Sequence, residues 1–152
     1  METKLSLEIV DDEREAVKLA KNEAVRKVLE MIGQQAENYA KDNITAGVPR
    51  KADSWYVPTG RLRNSVTHAT KDGEVYIGSN LEYAIYNEVG TGVYLDPEMG
   101  QGRKGGWWYV DDIKGELHHT MGMTPLHFLK NALADHQDEY KKMIEDVLKS
   151  SD

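Results

Sequence analysis

PTGRLRNSV, Pro58 to Val66, and EYAIYNEVGTG, Glu82 to Gly92, are the two phrases on which the reading of this chain turns. Between them sits a hairpin signal. Arg61 to Thr70 reads as a strand, with a helical turn at Leu62 left open, and Glu74 to Ser79 returns with Val75 and Ile77 on one face. Lys71-Asp72-Gly73 is the turn, its Asp-Gly pair supplying the positive φ angles of a tight hairpin. Asn80 then suits the N-cap of a short helix, Leu81 to Val89, with Gly90 as its C-cap. Leu81, Ala84, Ile85 and Glu88 or Val89 would share one face of that helix. Gly60 and Gly90 each adjoin a threonine and serve sharp changes of direction. Neither phrase holds a catalytic triad, a metal site or a phosphate loop, so both read as scaffold.

Upstream, Leu5, Leu7 and Ile9 alternate with polar residues and suggest a short half-buried strand. Asp11 or Asp12 caps a long helix over about residues 12–43. Its apolar stripe is Val25, Val28, Leu29, Ile32, Ala36, Tyr39 and Ala40, and Gly47 and Pro49 end it. Glu23 with Lys27, and Glu37 with Lys41, are placed on its solvated face. Such a helix is roughly 45–50 Å long, so its far end is expected to lean on something else. Arg50 to Thr59 is irregular, and its Trp55 and Tyr56 either cover the core edge or dock a neighbouring subunit.

Downstream, residues 92–106 read as a flexible arm with Gly100, Gly102, Gly105 and Gly106 around Arg103 and Lys104. Trp107 to Val110 and Glu116 to Thr120 form a second hairpin turning at Asp112 to Gly115. Thr124 caps a last helix with Pro125 at its first position, buried along Leu126, Leu129, Leu133, Tyr140, Ile144 and Val147. The expected fold is α+β: one domain, residues 1–152, with an antiparallel sheet of about four strands packed against the N-terminal and C-terminal helices.

Composition narrows the function. A net charge of −7 disfavours gripping nucleic acid but allows an acidic passage for it. The 39% hydrophobic content is lean and suggests that partners contribute to stability. There is no cysteine for disulfide or thiol chemistry. METKLSLEIVDDERE lacks a secretory pattern, and no apolar run approaches the ~20 residues of a membrane span, so a soluble protein made in a cytoplasm is expected.

Candidate chemistry is thin. His118, His119, His127 and His136, with Asp111, Asp112 or Glu116, suggest a metal only by their number. The first two are adjacent in a strand and point to opposite faces, while the others lie about half a turn apart on the expected helix. Glu82 and Glu88 lie on different sides of their helix without a nucleophile, and Glu88 reads better as a cap or an ion pair in a subunit contact. GQGRKGG lacks the ending of a phosphate loop. Arg103 and Lys104, with Arg50, Lys51, Arg61 and Arg63, could meet an acidic partner or DNA phosphate, against the plain reading of solvated charge. No catalytic residue, cofactor or metal is expected.

The order of phrases is more telling than any side chain. PTGRLRNSV, a hairpin, EYAIYNEVGTG and then GWWYVDDIKGELHHTMGMTPLHFLKNAL, from about Val57 to Leu133, resembles the HK97 gp10-like family of tailed-phage and prophage neck, or tail-completion, proteins. By that resemblance Thr59, Gly60, Leu62 and Ser65 hold one family phrase, and Tyr83, Ala84, Glu88, Gly90 and Thr91 hold a second. Pro125, Phe128 and Leu129 stand at a third, although Leu126 and His127 intervene where the family often has a tighter Pro-x-Phe.

The resemblance implies a non-catalytic virion protein forming a ring, sixfold or alternatively twelvefold, at the head–tail interface. Its partners would be copies of itself, head-closure or connector proteins, and tail tube or tail terminator proteins. DNA would pass through the lumen without sequence-specific binding, and no membrane is involved. Trp55, Tyr56, Arg103, Lys104, Trp107 and Trp108 are the expected contacts. The rivals are a tail terminator or other minor tail component, a small DNA-binding protein, and a hydrolase using the histidines.

Overall fold

The computed structural model describes residues 2–5, 23–47, 60–110 and 114–150, with only the backbone at 2–5 and 150. The expected helix start at 12–22, Leu7 and Ile9 of the first strand, and Trp55, Tyr56 and Thr59 lie outside the described residues. The class is α+β, as expected.

Helix α1 (Glu23–Ala46) is the common wall of the fold. The stripe legible in its sequence is largely the stripe it buries: Val25, Val28, Leu29, Ile32, Ala36 and Ala40, extended by Ile44, with Tyr39 only half-buried at its edge. Against it stands a three-stranded antiparallel sheet in the order β1 (Glu2–Leu5), β3 (Glu74–Ser79), β2 (Val66–Lys71). The β2–β3 register runs from Val66 opposite Ser79 to Lys71 opposite Glu74. Asp72 and Gly73 close that hairpin with φ of 52° and 79°, the two left-handed residues a two-residue turn needs for strands of native twist. Val66, Val75 and Ile77 point from the sheet onto α1 and are fully buried.

The second hairpin, β4 (Trp107–Val110) with β5 (Leu117–Thr120), does not extend this sheet. One sheet of four strands therefore becomes a three-stranded sheet and a separate two-stranded ribbon. β3 is paired on both sides, by β1 and β2, so a further hairpin could join only at an outer edge. The chain after β5 is instead bonded to the segment following Val89.

Other expectations shift as well. Arg61–Ser65 is a short helix, α2, and the strand begins only at Val66. Gly60 turns the chain with φ of 76°, Asn64 N–H donates to the Gly60 carbonyl at 2.9 Å, and Leu62 becomes a buried anchor. The short helix α3 (Ala84–Val89) starts later than Leu81, with Tyr83 and not Asn80 at its N-cap, and the Leu81 N–H is taken by the Ser79 hydroxyl at 3.1 Å.

The last helix is two helices, α4 (Phe128–Ala134) and α5 (Gln137–Ser150). At the break the His136 ring stacks on Tyr39 of α1 at 3.4 Å. The Tyr140 hydroxyl donates to the Ala132 carbonyl at 2.5 Å, satisfying an acceptor that the break would orphan. Burial pushes that hydroxyl's pKa up. Thr124 and Pro125 precede α4 without belonging to it, and His127 is no helical residue either: it sits at the N-cap with φ of 48°.

Both charge pairs of α1 form, but only one lies in solvent. Glu23 and Lys27 meet at 3.7 Å on the exposed face. Glu37 and Lys41 meet at 2.7 Å and are largely covered, because Glu37 also faces β2, where it reaches the His68 ring at 2.5 Å. The other ring nitrogen of His68 lies 2.5 Å from Glu30. Between these two carboxylates, one turn from each, is Gly33. A β-carbon there would fall 2.6 Å from the His68 ring and 3.3 Å from Val75.

Gly33→Ala should thus destabilise the protein despite gaining about 1 kcal/mol in helix propensity. Overpacking against a clamped ring costs about 1–3 kcal/mol. Chemical denaturation should find the loss in Gly33→Ala and find it reversed when the same change is made beside His68→Ala.

Candidate assembly surface

Helix α3 is built inside out. Its polar residues Asn87 and Glu88 are buried, while Ile85 and Tyr86 keep 36% and 53% of their surface in solvent. The reason lies at the start of α4. His127 supplies no side-chain cap to that helix. Glu88 does so from 41 residues away: one carboxylate oxygen accepts the Leu129 N–H and the other the Lys130 N–H, both at 2.8 Å. Those donors have no partner within the helix, and a negative charge suits the positive end of its dipole. Glu88 is therefore a cap, one of the two roles its sequence suggested, but within the subunit. Glu82, its supposed catalytic companion, is exposed.

Backbone pairing extends the seam. Leu126 N–H donates to Asn87 and His127 N–H to Glu88, at 2.8 and 3.1 Å. Gly90, with φ of 79°, passes so close that a β-carbon would lie 2.8–2.9 Å from Met123, Pro125 and Tyr94. Thr91 then binds Met123 twice, its N–H donating to the Met123 carbonyl and its hydroxyl accepting the Met123 N–H, each at 2.9 Å. Val93 N–H donates to Met121 at 3.0 Å. The region expected as a flexible arm starts on this seam and carries two short 3-10 turns, Gly92–Tyr94 and Pro97–Met99. Arg103 and Lys104 follow, both exposed.

The ribbon projects from this platform. Trp108 opposes His119 and Val110 opposes Leu117 on one face. Trp108, Val110 and Leu117 are 66%, 59% and 63% exposed, with the Trp108 and His119 rings edge-on at 5.0 Å. The other face, Trp107, Tyr109, His118 and Thr120, is half-buried. Among the described residues, every exposed large apolar side chain except Met31 falls between Ile85 and Met121.

The structure does not gather the histidines. His118, His127 and His136 each face a separate carboxylate, Glu116, Asp96 and Glu139, at 3.6–3.7 Å. No cluster of potential metal ligands occurs among the described residues, and no helix there is long and apolar enough to cross a membrane. Sequence reasoning missed His68 and its partners. The available signal was Glu30, Gly33 and Glu37 at spacings of three and four, one helical face with a notch between two acids.

A family model described as bacteriophage HK97-gp10, and assigned to the tail, matches residues 12–90, just over half of the chain. The chain belongs to the HK97 gp10-like family. This gp10-like protein is accordingly a phage tail component, a part of the virion that works among other phage structural proteins. No curated protein and no solved structure matches it. The family match ends at Gly90. It contains Gly60, Leu62, Ser65, Tyr83, Ala84 and Glu88, while Thr91, Pro125, Phe128 and Leu129 lie beyond it. The Glu88 contact thus joins the matched part of the gp10-like chain to the part outside the match.

Glu88→Ala should cost about 1–3 kcal/mol per buried N–H left unsatisfied, with Glu88→Gln intermediate because one acceptor oxygen remains. Urea denaturation of the three proteins measures that order.

Proposed function

We propose that this protein is a non-catalytic structural subunit that assembles into a ring at the head–tail junction, joining the capsid connector to the tail. In this reading the chain acts as one domain, is made in the bacterial host cytoplasm, and leaves an open channel for DNA. Sixfold symmetry is the first expectation and twelvefold the second. Head-closure or connector proteins lie on one side and tail tube or terminator proteins on the other.

The observation that carries the proposal is the apolar face of the ribbon, Trp108, Val110 and Leu117, exposed on a platform that the rest of the fold holds in place. Contiguous apolar surface of this kind marks contact with other proteins. Family membership supplies the setting, and the net charge of −7 fits a lumen through which DNA slides without binding. Ring subunits contact one another through unlike patches, and the exposed Arg103 and Lys104 beside an apolar ribbon suit such a contact.

Trp108→Ser with Leu117→Ser tests this reading. The two changes each break one cross-strand pair of the ribbon, at about 0.2–1 kcal/mol apiece, and should leave the domain folded while abolishing ring formation, as seen by mass photometry and negative-stain microscopy with tail tube and connector proteins present. Rings formed equally well by the variant would place the contact elsewhere. A wild-type protein that stays monomeric even beside those partners would sink the ring itself. Salt-dependent binding to duplex DNA would favour a DNA-binding protein instead.

A further inference from the structure

We propose that Glu30, His68 and Glu37 form a proton-operated latch that clamps the edge strand β2 onto α1 and releases its hairpin end when His68 loses a proton. The geometry is that of a receptor for one imidazolium ring. His68 lies in β2, the outer strand of the sheet order. Its ring enters the notch at Gly33, with Glu37 at 2.5 Å on Nδ1 and Glu30 at 2.5 Å on Nε2. Only the cation has two N–H donors. A neutral ring would satisfy one carboxylate and turn a lone pair toward the other at the same short distance, in a site where the histidine side chain is only 12% exposed.

The surroundings decide which side gives way. On α1 the charged groups facing the ring are Glu30 and Glu37, with Lys41 held on Glu37 at 2.7 Å. From β2 only the Thr70 hydroxyl joins them, donating to Glu30 at 3.2 Å. From β3 the neighbours are apolar: Ile77 opposite His68, and Val75 beside Gly33. Without the proton, Glu37 keeps Lys41 and stays covered, whereas Glu30, already 57% exposed, can turn to water. Opening therefore starts at Glu30, beside Thr70, near the turn. On the opposite side of the same two strands, Thr67, Ala69, Tyr76 and Gly78 line a groove of about 490 Å³, so movement of β2 off α1 changes the groove as well.

The direction of the pH effect follows. Burial opposes charging His68, but its hydrogen bonds to Glu37 and Glu30 outweigh this and raise its pKa. The His68 hydrogen bond lowers that of Glu30. Burial works to raise that of Glu37, and its bonds to Lys41 and His68 outweigh this and lower it. A raised histidine pKa gives stability that is full below its unfolded value of about 6.5 and is lost as pH rises through the folded value. The lowered carboxylates give stability present above their unfolded range of about 4–4.5 and lost in acid. The latch is closed between these limits and opens on the alkaline side.

Amide hydrogen exchange from about pH 5.5 to 9, corrected for intrinsic rates, tests the latch together with ¹⁵N spectra of the His68 ring. The expected result is a doubly protonated ring at the lower pH. As it titrates, protection of Thr67–Thr70 should fall about tenfold or more relative to the centre of α1, the factor carried by one charge-assisted hydrogen bond. Glu30→Gln, a change at an exposed position, should move the step to lower pH, and His68→Gln should remove it. Parallel loss of protection in β2 and α1, a ring protonated on one nitrogen throughout, or an unmoved step in Glu30→Gln would overturn the proposal.

Discussion

Two hydrogen bonds to one buried carboxylate fix most of the geometry in the second half of this protein. Glu88 closes a loop of chain that leaves at the end of α3 and returns at the start of α4. Removing a carboxylate from water is costly unless its oxygens are bonded, and here each oxygen takes one of the N–H groups that α4 cannot satisfy itself. The two deficits cancel at one point. The 3-10 turns and the ribbon all lie within that loop, and the bonds from Thr91 and Val93 to Met123 and Met121 continue the closure outward. A ribbon with two strands and no other sheet partner is marginal by itself. Its position depends on the two chain segments beneath it being held together.

Helix α1 plays the matching role in the first half. Its apolar stripe supplies the core, in which fully buried side chains such as Ile32, Phe128 and Leu129 each contribute about 1.5–3 kcal/mol. Polar contacts along its flanks fix orientation. On the sheet side His68 spans Glu30 and Glu37. On the helical side Tyr39 stacks on His136, its hydroxyl donates to Glu139 at 2.6 Å, and the Asn43 amide donates to the Phe128 carbonyl at 3.2 Å. Burial alone would leave α1 free to slide against either layer, since the hydrophobic effect is non-directional. These bonds have defined partners and set the register.

What the sequence revealed was local. The α1 stripe and the Asp72-Gly73 hairpin each depend on residues within one or two turns, and both appear as read. The α+β class and the family followed from the order of such segments. What stayed hidden depends on residues far apart in the chain. His68 matters because of Glu30 and Glu37, 38 and 31 residues away. The His136 ring at the break after Ala134 rests on Tyr39, 97 residues away, and the start of α4 is capped by Glu88, not by the nearby Thr124 and Pro125 that looked like a cap. The ribbon's aromatics were partly legible: Trp107 and Trp108 stood out in the sequence. That Trp108 faces out while Trp107 is half-buried required the register of the ribbon.

The outward face of α3 bears on how the assembly surface would work. Burying Asn87 and Glu88 turns Ile85 and Tyr86 toward solvent, so the cap that secures α4 also turns apolar surface outward. Scattered exposed apolar residues are ordinary, but here they follow from the fold's main anchor and share one stretch of chain with Trp108, Val110 and Leu117. Those three, about 60% exposed, would return roughly 1–2 kcal/mol each on being covered. Association costs roughly 4–15 kcal/mol before any contact counts, so the ribbon face alone does not hold two copies together in dilute solution. It becomes effective when several contacts close at once, as in a ring where each copy touches two neighbours, or on a template that has already lost its freedom of movement. In the assembly proposed above, a subunit with this surface would stay dispersed until a template gathers it.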